Sequence, residues 1–379
     1  MSATPRVSVL MPSYNHAPFV AQAIESVLGQ SYSDLELIVV DDGSTDGTPD
    51  VVSRYAGDPR VRIEVFSVNQ GAATATNHCR SMARGEFVAL LNSDDVFLPD
   101  KVAQQVDLLD RHPGLAAVFS QVQFIDERGE PVDDAANPFA TLFRTTQPHR
   151  FAWLRMFFLR GNGLCHPTIL ARKSVYDTLG PFDPAYRQLH DFDMWVRLCA
   201  HHPIHVMPRP TVAYRVLLQG GNASAPGPAV FRRTVWEHSR LRHRYRSMDD
   251  ETLRRAFRAD LPDHITARRL PASLLLALAM AERPEPEVQL FALETMQDAI
   301  DRCVPGVSPH DLHAMAGAVD PLRILEFAAL QAAADDATHH RDVARLRVDA
   351  LAIALDQTRI GLRSIANEVD GTLRGLRGV

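Results

Sequence analysis

"GEFVALLNSDDVFLPDK", residues 85–101, is the stretch that decides the fold class. Phe87 to Leu91 form a continuous apolar run, the pattern of a strand buried on both faces of a parallel sheet. The run stops at Asn92, Ser93, Asp94 and Asp95, and Pro99 then leads a segment with helical spacing. Adjacent carboxylates repel each other unless something positive joins them. A cation, a ligand or plain exposure to water would each meet that need.

The same unit of strand, polar turn and helix repeats through the first third of the chain. Further apolar strand candidates begin at Val7 ("VSVLM"), Leu35 ("LELIVV"), Val61 ("VRIEVF") and Leu115 ("LAAVF"). Helical spacing lies between them, as in Phe19, Ala23, Ile24, Val27 and Leu28. Such alternation predicts βαβ units and a mostly parallel sheet, whose ligands sit at the carboxyl ends of the strands. The polar clusters fall there: "PSYNH", "DDGSTDG", "NQG" and "NSDD".

The pattern weakens over 131–165, which reads as a variable excursion with one helix, "FAWLRMFFL". It returns with "HPTILARKSVYDTLGPFD" and "LHDFDMWVRLCAHH". "LQGGNASAPGPA" (218–229) has loop or boundary composition, and the sequence beyond it is almost wholly helical. The expected organisation is an α/β domain over 1–225, a helical domain over 226–340 and a heptad-patterned helix over 341–379. In that last segment Val348, Leu355, Leu362, Val369 and Leu376 keep a heptad spacing, with Ala344, Leu351, Thr358, Ile365 and Thr372 alternating. A coiled coil, a docking helix and a last helix packed on its own domain all fit.

With 379 residues and a formal net charge of −6, bulk electrostatics give no reason to expect nucleic acid. Cys79, Cys165, Cys199 and Cys303 form no C-x-x-C pair and read as reduced thiols. No signal peptide precedes "RVSVLM", and the longest apolar stretch, "LPASLLLALAMA" (270–281), is too short to span a bilayer. The expected location is the cytoplasm, either free or peripheral at the inner face of the membrane.

"DDGSTDG" first suggests calcium, because Asp42, Ser44, Asp46 and Gly47 match the opening half of an EF-hand loop. Ser53 stands where a bidentate Glu is needed, and a strand precedes the loop, so that reading fails. At a strand end, Asp41 and Asp42 can accept hydrogen bonds from a base or ribose; the alternative is a capped turn into a helix at 46–56, a role open to Asp46 or Thr45. In "LHDFDMWVRLC", Leu189, Phe192, Val196 and Cys199 share one helical face. Asp191 therefore sits in or just before the first turn, where a helix N-terminus favours the ionised carboxylate. No G-x-G-x-x-G follows a strand, which sets aside a dinucleotide-dependent dehydrogenase.

"VSVLMPSYNHAPFVAQAIESVLGQSYSDLELIVVDDGSTDGT", "NQGAATATNHCRSMARGEFVALLNSDD" and "HPTIL…LHDFDMWVRL" together resemble the inverting family 2 glycosyltransferases of GT-A fold, over roughly residues 5–216. The resemblance implies an α/β, Rossmann-like sheet with flanking helices, followed by the all-helical C-terminal region. It implies a nucleotide-diphospho-sugar donor, UDP- or dTDP-linked, and a divalent cation, Mn²⁺ or Mg²⁺. Pro12, Ser13 and Tyr14 would line the nucleobase pocket, with Tyr14 stacking on the base and Asp42, helped by Asp41, bonding its edge. Asn69, Gly71 and Asn77 would join the nucleotide side. Asp94 would face the ribose or the diphosphate–metal unit, and Asp95 would bind the metal directly. Asp191 would be the base that takes the acceptor's proton. His166, His190, Asp193 and Trp195 would have supporting or acceptor-side places, Trp195 as packing before sugar platform.

The sequence departs from the family pattern at His190, where Glu is usual, at Thr76 before Asn77, and at Asn92 in the acidic turn. No His follows the closing Tyr214-Arg215 pair. The implied acceptor is a saccharide, a lipid-linked saccharide or a protein, commonly in surface polysaccharide assembly. The C-terminal helices would supply acceptor recognition, a homodimer contact or a partner-protein contact. A catalytically silent nucleotide-sugar binder is the competing expectation, motivated by those substitutions.

Overall fold

Residues 4–133, 140–217 and 228–317 are described in this computed structural model. Most of the 218–229 stretch and all of the 341–379 helix lie outside the described residues. The chain divides into two compact units, Met1–Ala225 and Pro226–Val379.

The first unit opens with alternating elements: β1 (Val7–Ser13), α1 (Val20–Leu28), β2 (Leu35–Asp41), α2 (Thr48–Ser53), β3 (Val61–Val65), α3 (Ala72–Met82) and β4 (Phe87–Leu90). β1 pairs in parallel with β2 and β4, and β2 pairs in parallel with β3. Every residue of β2 and β4 is buried, as expected of strands covered on both faces. α1 turns Val20, Ala23, Ile24 and Val27 onto the sheet. The carboxyl ends of β1, β2, β3 and β4 therefore share one rim.

After the acidic turn come β5 (Val96–Phe97), α4 (Lys101–Arg111) and β6 (Ala117–Ile125), then α5 (Ala140–Phe143), α6 (Arg150–Arg160), β7 (Leu170–Arg172), α7 (Lys173–Leu179), α8 (His190–His201) and β8 (Ile204–Arg215). One eight-stranded sheet results, in the order β3-β2-β1-β4-β7-β6-β8-β5. The strand expected near Leu115 is β6, which runs in the same direction as β4 but is not its neighbour. β6 begins at Ala117, and the antiparallel β7 separates it from β4. The excursion through α5 and α6 returns the chain to the sheet at β7. The three residues of β7 and the two of β5 run against the other strands, and both are too short to leave a periodic signature.

The second unit contains α9 (Pro228–His243), α10 (Asp250–Ala256), α11 (Asp263–Thr266), α12 (Ala272–Ala281), α13 (Pro286–Asp301) and α14 (Pro309–Gly317). The apolar 270–281 stretch is α12, and Leu274, Leu275, Leu276, Ala277 and Met280 are buried. The end of α9 and the turn that follows it are tied to α13 by charge: Glu294 meets His243 and Arg246, and Arg246 reaches Asp298. No helix among the described residues is long and apolar enough to cross a membrane.

Gly43 follows β2 with a positive φ of 73°. A Cβ there would lie 2.7 Å from the Val68 carbonyl carbon and 2.8 Å from the Asn69 nitrogen, so the β2 and β3 loops touch backbone to backbone. Gly43→Ala should cost about 2–4 kcal/mol, left-handed strain plus a clash with backbone that cannot rotate away. A urea midpoint close to the parent's would show that the two loops are free to separate.

Candidate active site

The loop after β1 and the loop after β2 are stitched together. The Asn15 amide N–H donates to Ser44 Oγ at 2.8 Å, and Asn15 Oδ1 accepts from Thr45 N–H at 2.8 Å. Ala17 N–H reaches Asp46 Oδ2 at 3.0 Å, and His16 N–H reaches Thr48 Oγ1 at 2.9 Å. Asp46 also accepts from Thr48 N–H at 3.0 Å, which fixes the turn that enters α2. Tyr14 is left 43 % exposed at the rim, an unusual place for a large ring.

Asp41 and Asp42 are both buried, but they face different partners. Asp41 closes a local turn, accepting from Ser44 N–H at 2.8 Å and Ser44 Oγ at 2.6 Å. Asp42 takes Gln70 N–H at 2.7 Å on one oxygen and Gly71 N–H at 2.8 Å on the other. Its carboxylate thus sets the loop after β3, which carries the exposed Asn69. Pro12 is half-buried, and Ser13 is buried with a hydroxyl that has no partner. Asn77 lies elsewhere: its amide donates to the Phe182 carbonyl at 2.7 Å and accepts Phe182 N–H at 2.9 Å, tying α3 to a distant turn.

The acidic turn separates its two carboxylates. Asp95 Oδ1 accepts the Arg215 backbone N–H at 2.8 Å, and Oδ2 accepts the Asn92 amide at 2.9 Å. The substitution at Asn92 is therefore a donor to Asp95. Asp94 has its carboxylate 3.9 Å from His16 Nε2, while His16 Nδ1 lies 2.8 Å from Ser93 Oγ. Burial holds Asp94 above the ordinary carboxylate range, partly offset by His16 and Arg215. Burial and then Asp94's charge drive Asp95 well above that range. Beneath them the fully buried Arg215 guanidinium donates to the Asp94 carbonyl at 2.8 Å, the Asp126 carbonyl at 2.7 Å and Gln22 Oε1 at 2.6 Å.

Asp191 stands in the first turn of α8 and accepts from the Asn162 amide at 3.3 Å. Two side chains feel both it and the acidic turn. Burial first, and then the charges of Asp95 and Asp191, raise the Cys165 thiol. Burial, then Asp95, Cys165, Asp94 and Asp191, raise the Tyr214 hydroxyl. Asp191 thus belongs to the same electrostatic neighbourhood as the acidic turn, although it lies nearly a hundred positions further along the chain. Asp193, on the same turn, is fully buried and pairs with Arg197, whose guanidinium also grips the Leu179 and Pro181 carbonyls. Trp195 is fully buried, its ring edge-on to Phe119 with centroids 4.9 Å apart.

His16 and Arg215 are the residues that pattern reading left out. His16 closes the quoted "PSYNH" cluster, so its place at the rim was visible there, but its partners were not. Among the described residues, no cluster of three or more His, Cys, Asp or Glu side chains is built to hold a metal alone. The two desolvated carboxylates do suit a hard cation that takes one or two protein oxygens and completes its shell with phosphate.

His166 and His190 stack edge to face, centroids 5.7 Å apart, each with a buried Nδ1 that has no partner. Burial, helped by His190, lowers His166 to about 3, and burial alone lowers His190 to about 4. As pH falls, the unfolded chain protonates first, near the ordinary 6.5. The stability these neutral rings contribute is complete above that pH and is lost as pH drops toward their folded values. A His166→Gln, His190→Gln protein should lose less of its urea midpoint than the parent between about pH 7 and about pH 4.5. Equal acid sensitivity would mean that the imidazoles are solvated.

Residues 8–179 match the sequence profile described as glycosyl transferase family 2. EpsE of Bacillus subtilis (strain 168), which carries a provisional glycosyltransferase name, is 34% identical over 201 residues, covering 52% of this chain and 68% of EpsE. The chondroitin synthase of Escherichia coli is 30% identical over 226 residues, 59% of this chain but 30% of that protein. S. aureus TarS 1-349, solved in complex with UDP, superposes with a TM-score of 0.50 at 18% identity, covering 94% of this chain and 92% of that one. At that identity the likeness concerns the fold, which is of GT-A type. Sheet, rim and sequence agree: the chain belongs to glycosyl transferase family 2.

Proposed function

We propose that this protein is an inverting glycosyltransferase that moves a sugar from a nucleotide-diphosphate donor to an acceptor hydroxyl. What carries this reading is the rim itself: in a chain of glycosyl transferase family 2, the loops after β1, β2 and β3 are bonded to one another beside the buried Asp94–Asp95 turn. A base and a diphosphate-facing acidic turn in one neighbourhood are what displacement at an anomeric carbon requires.

The exposed Tyr14 ring offers a stacking face for the base of a UDP or dTDP donor. Asp42, fastened to Gln70 and Gly71, shapes the loop that would flank the nucleoside. Asp94 is the better candidate than Asp95 for a direct metal ligand, because both Asp95 oxygens already accept hydrogen bonds within the protein. Asp95 then holds the turn, and His16 balances Asp94's charge on the other side. When bound, Mn²⁺ or Mg²⁺ would stabilise the charge that grows on the departing nucleotide diphosphate.

Asp191 accepts the proton of the attacking hydroxyl, and the Asn162 amide orients its carboxylate. His166 and His190, buried and neutral, keep the wall beside the base free of charge, which suits a hydroxylated acceptor. Asp193 supports the helix through Arg197. The acceptor class that suits this reading is a saccharide, free or lipid-linked, in polysaccharide assembly, consistent with a cytoplasmic enzyme that works at or near the inner membrane face. The helices beyond residue 226 are proposed for acceptor or partner contacts.

Thermal shift with UDP, dTDP and GDP, each with and without Mn²⁺, should give cation-dependent stabilisation by one nucleotide. Asp94→Asn should remove the cation dependence. Asp191→Asn should keep nucleotide binding but lower transfer by about 10²–10⁴-fold. NMR of the product should find the anomeric configuration inverted. Retained configuration, or full activity in Asp191→Asn, would overturn the mechanism. Nucleotide binding without transfer to any acceptor would favour the silent binder.

A further inference from the structure

The chain contains only two lysines, Lys101 and Lys173, among 40 basic Lys and Arg residues. Lys101, the first residue of α4, is 1 % exposed and has no carboxylate partner among the described residues. Its Nζ donates to Gln105 Oε1 at 2.6 Å and to the Ile169 carbonyl at 3.2 Å, and lies 4.4 Å above the Phe97 ring. Gln105, also fully buried, passes the connection on, donating to the Thr168 carbonyl at 2.8 Å. Thr168 in turn closes the turn on itself, its hydroxyl donating to the Cys165 carbonyl at 2.7 Å.

We propose that Lys101 is a positioning residue for the candidate active site: its buried amine fastens the Cys165–Ile169 turn to α4. That turn carries Cys165, which feels both Asp95 and Asp191, and His166, which stacks on His190. Phe97, beneath the amine, belongs to the strand that leaves the acidic turn. Lys101 therefore joins the segment that follows Asp95 to the segment that precedes the base helix.

Lysine suits this place and arginine does not. Burial without an anion drives the Lys101 ammonium well below its ordinary pKa, and a neutral amine still has two N–H groups for two acceptors. A guanidinium is larger and stays charged, so Arg would bring an uncompensated charge into the core.

The test uses the full chain with Lys101→Met and Lys101→Arg. Each cysteine is followed by iodoacetamide labelling and mass spectrometry. Cys165, Cys79 and Cys199 are buried and Cys303 is exposed, so the other buried thiols report global opening and Cys165 reports the turn. Lys101→Met should raise Cys165 labelling at least about tenfold while Cys79 and Cys199 stay protected. Lys101→Arg should not restore protection. In the activity arm, which rests on the transferase reading above, turnover should fall at least about tenfold with unchanged nucleotide affinity. Protection of Cys165 in Lys101→Met, parallel loss at all three buried thiols, or parent-like behaviour of Lys101→Arg would each overturn the proposal. Absence of transfer in the parent protein would sink the transferase reading alone, since labelling decides the role of Lys101 without it.

Discussion

The rim depends on the buried guanidinium of Arg215. Its N–H groups go to the Asp94 carbonyl, the Asp126 carbonyl and Gln22, and its charge lies 4.8 Å from the Phe19 ring centroid. The last residue of β8 therefore joins the acidic turn, the end of β6 and helix α1 in one planar fork. Arginine can do this because its five donors are fixed in geometry, whereas an ammonium is a point charge. The arrangement also leaves Asp94's carboxylate unconsumed: the turn is held through its backbone and through Asp95, not through the side chain that faces the rim.

Two buried clusters oppose each other in electrostatic sense. At the acidic turn, burial and like charge make ionised carboxylates costly, so the place favours whatever brings positive charge. At the His166–His190 pair, burial keeps both rings neutral, so the place favours hydrogen-bonding groups without charge. The diphosphate donor and hydroxylated acceptor of the proposed reaction differ along the same axis. Environments that separate like groups in this way are how a fold assigns roles to ordinary side chains.

The half of the first unit built from β1 to β4 was legible because its signals are local. Continuous apolar runs mark β1, β2 and β4, and polar clusters end them, so the shared rim follows from parallel pairing alone. Placing Asp191 in the first turn of a helix was equally a matter of local spacing. What could not be read is long-range. Asn77 has the look of a ligand-facing residue, yet its amide is spent on Phe182, 105 positions away. Arg215 and His16 acquire their roles only through partners on other elements. Lys101 is buried, which packing alone reveals. β7 escaped because three residues carry no period, and its direction depends on where α6 delivers the chain.

That antiparallel β7 separates two lineages of freedom within one sheet. The four strands β3-β2-β1-β4 form a continuous parallel block whose register is closed before β7 enters. The connection from β6 to β7 leaves and re-enters the sheet on the far side of that block. Length and chemistry in this connection can drift without shifting any register among the first four strands. A lineage could therefore rework this one excursion while the rim formed by the first four strands passes down unchanged.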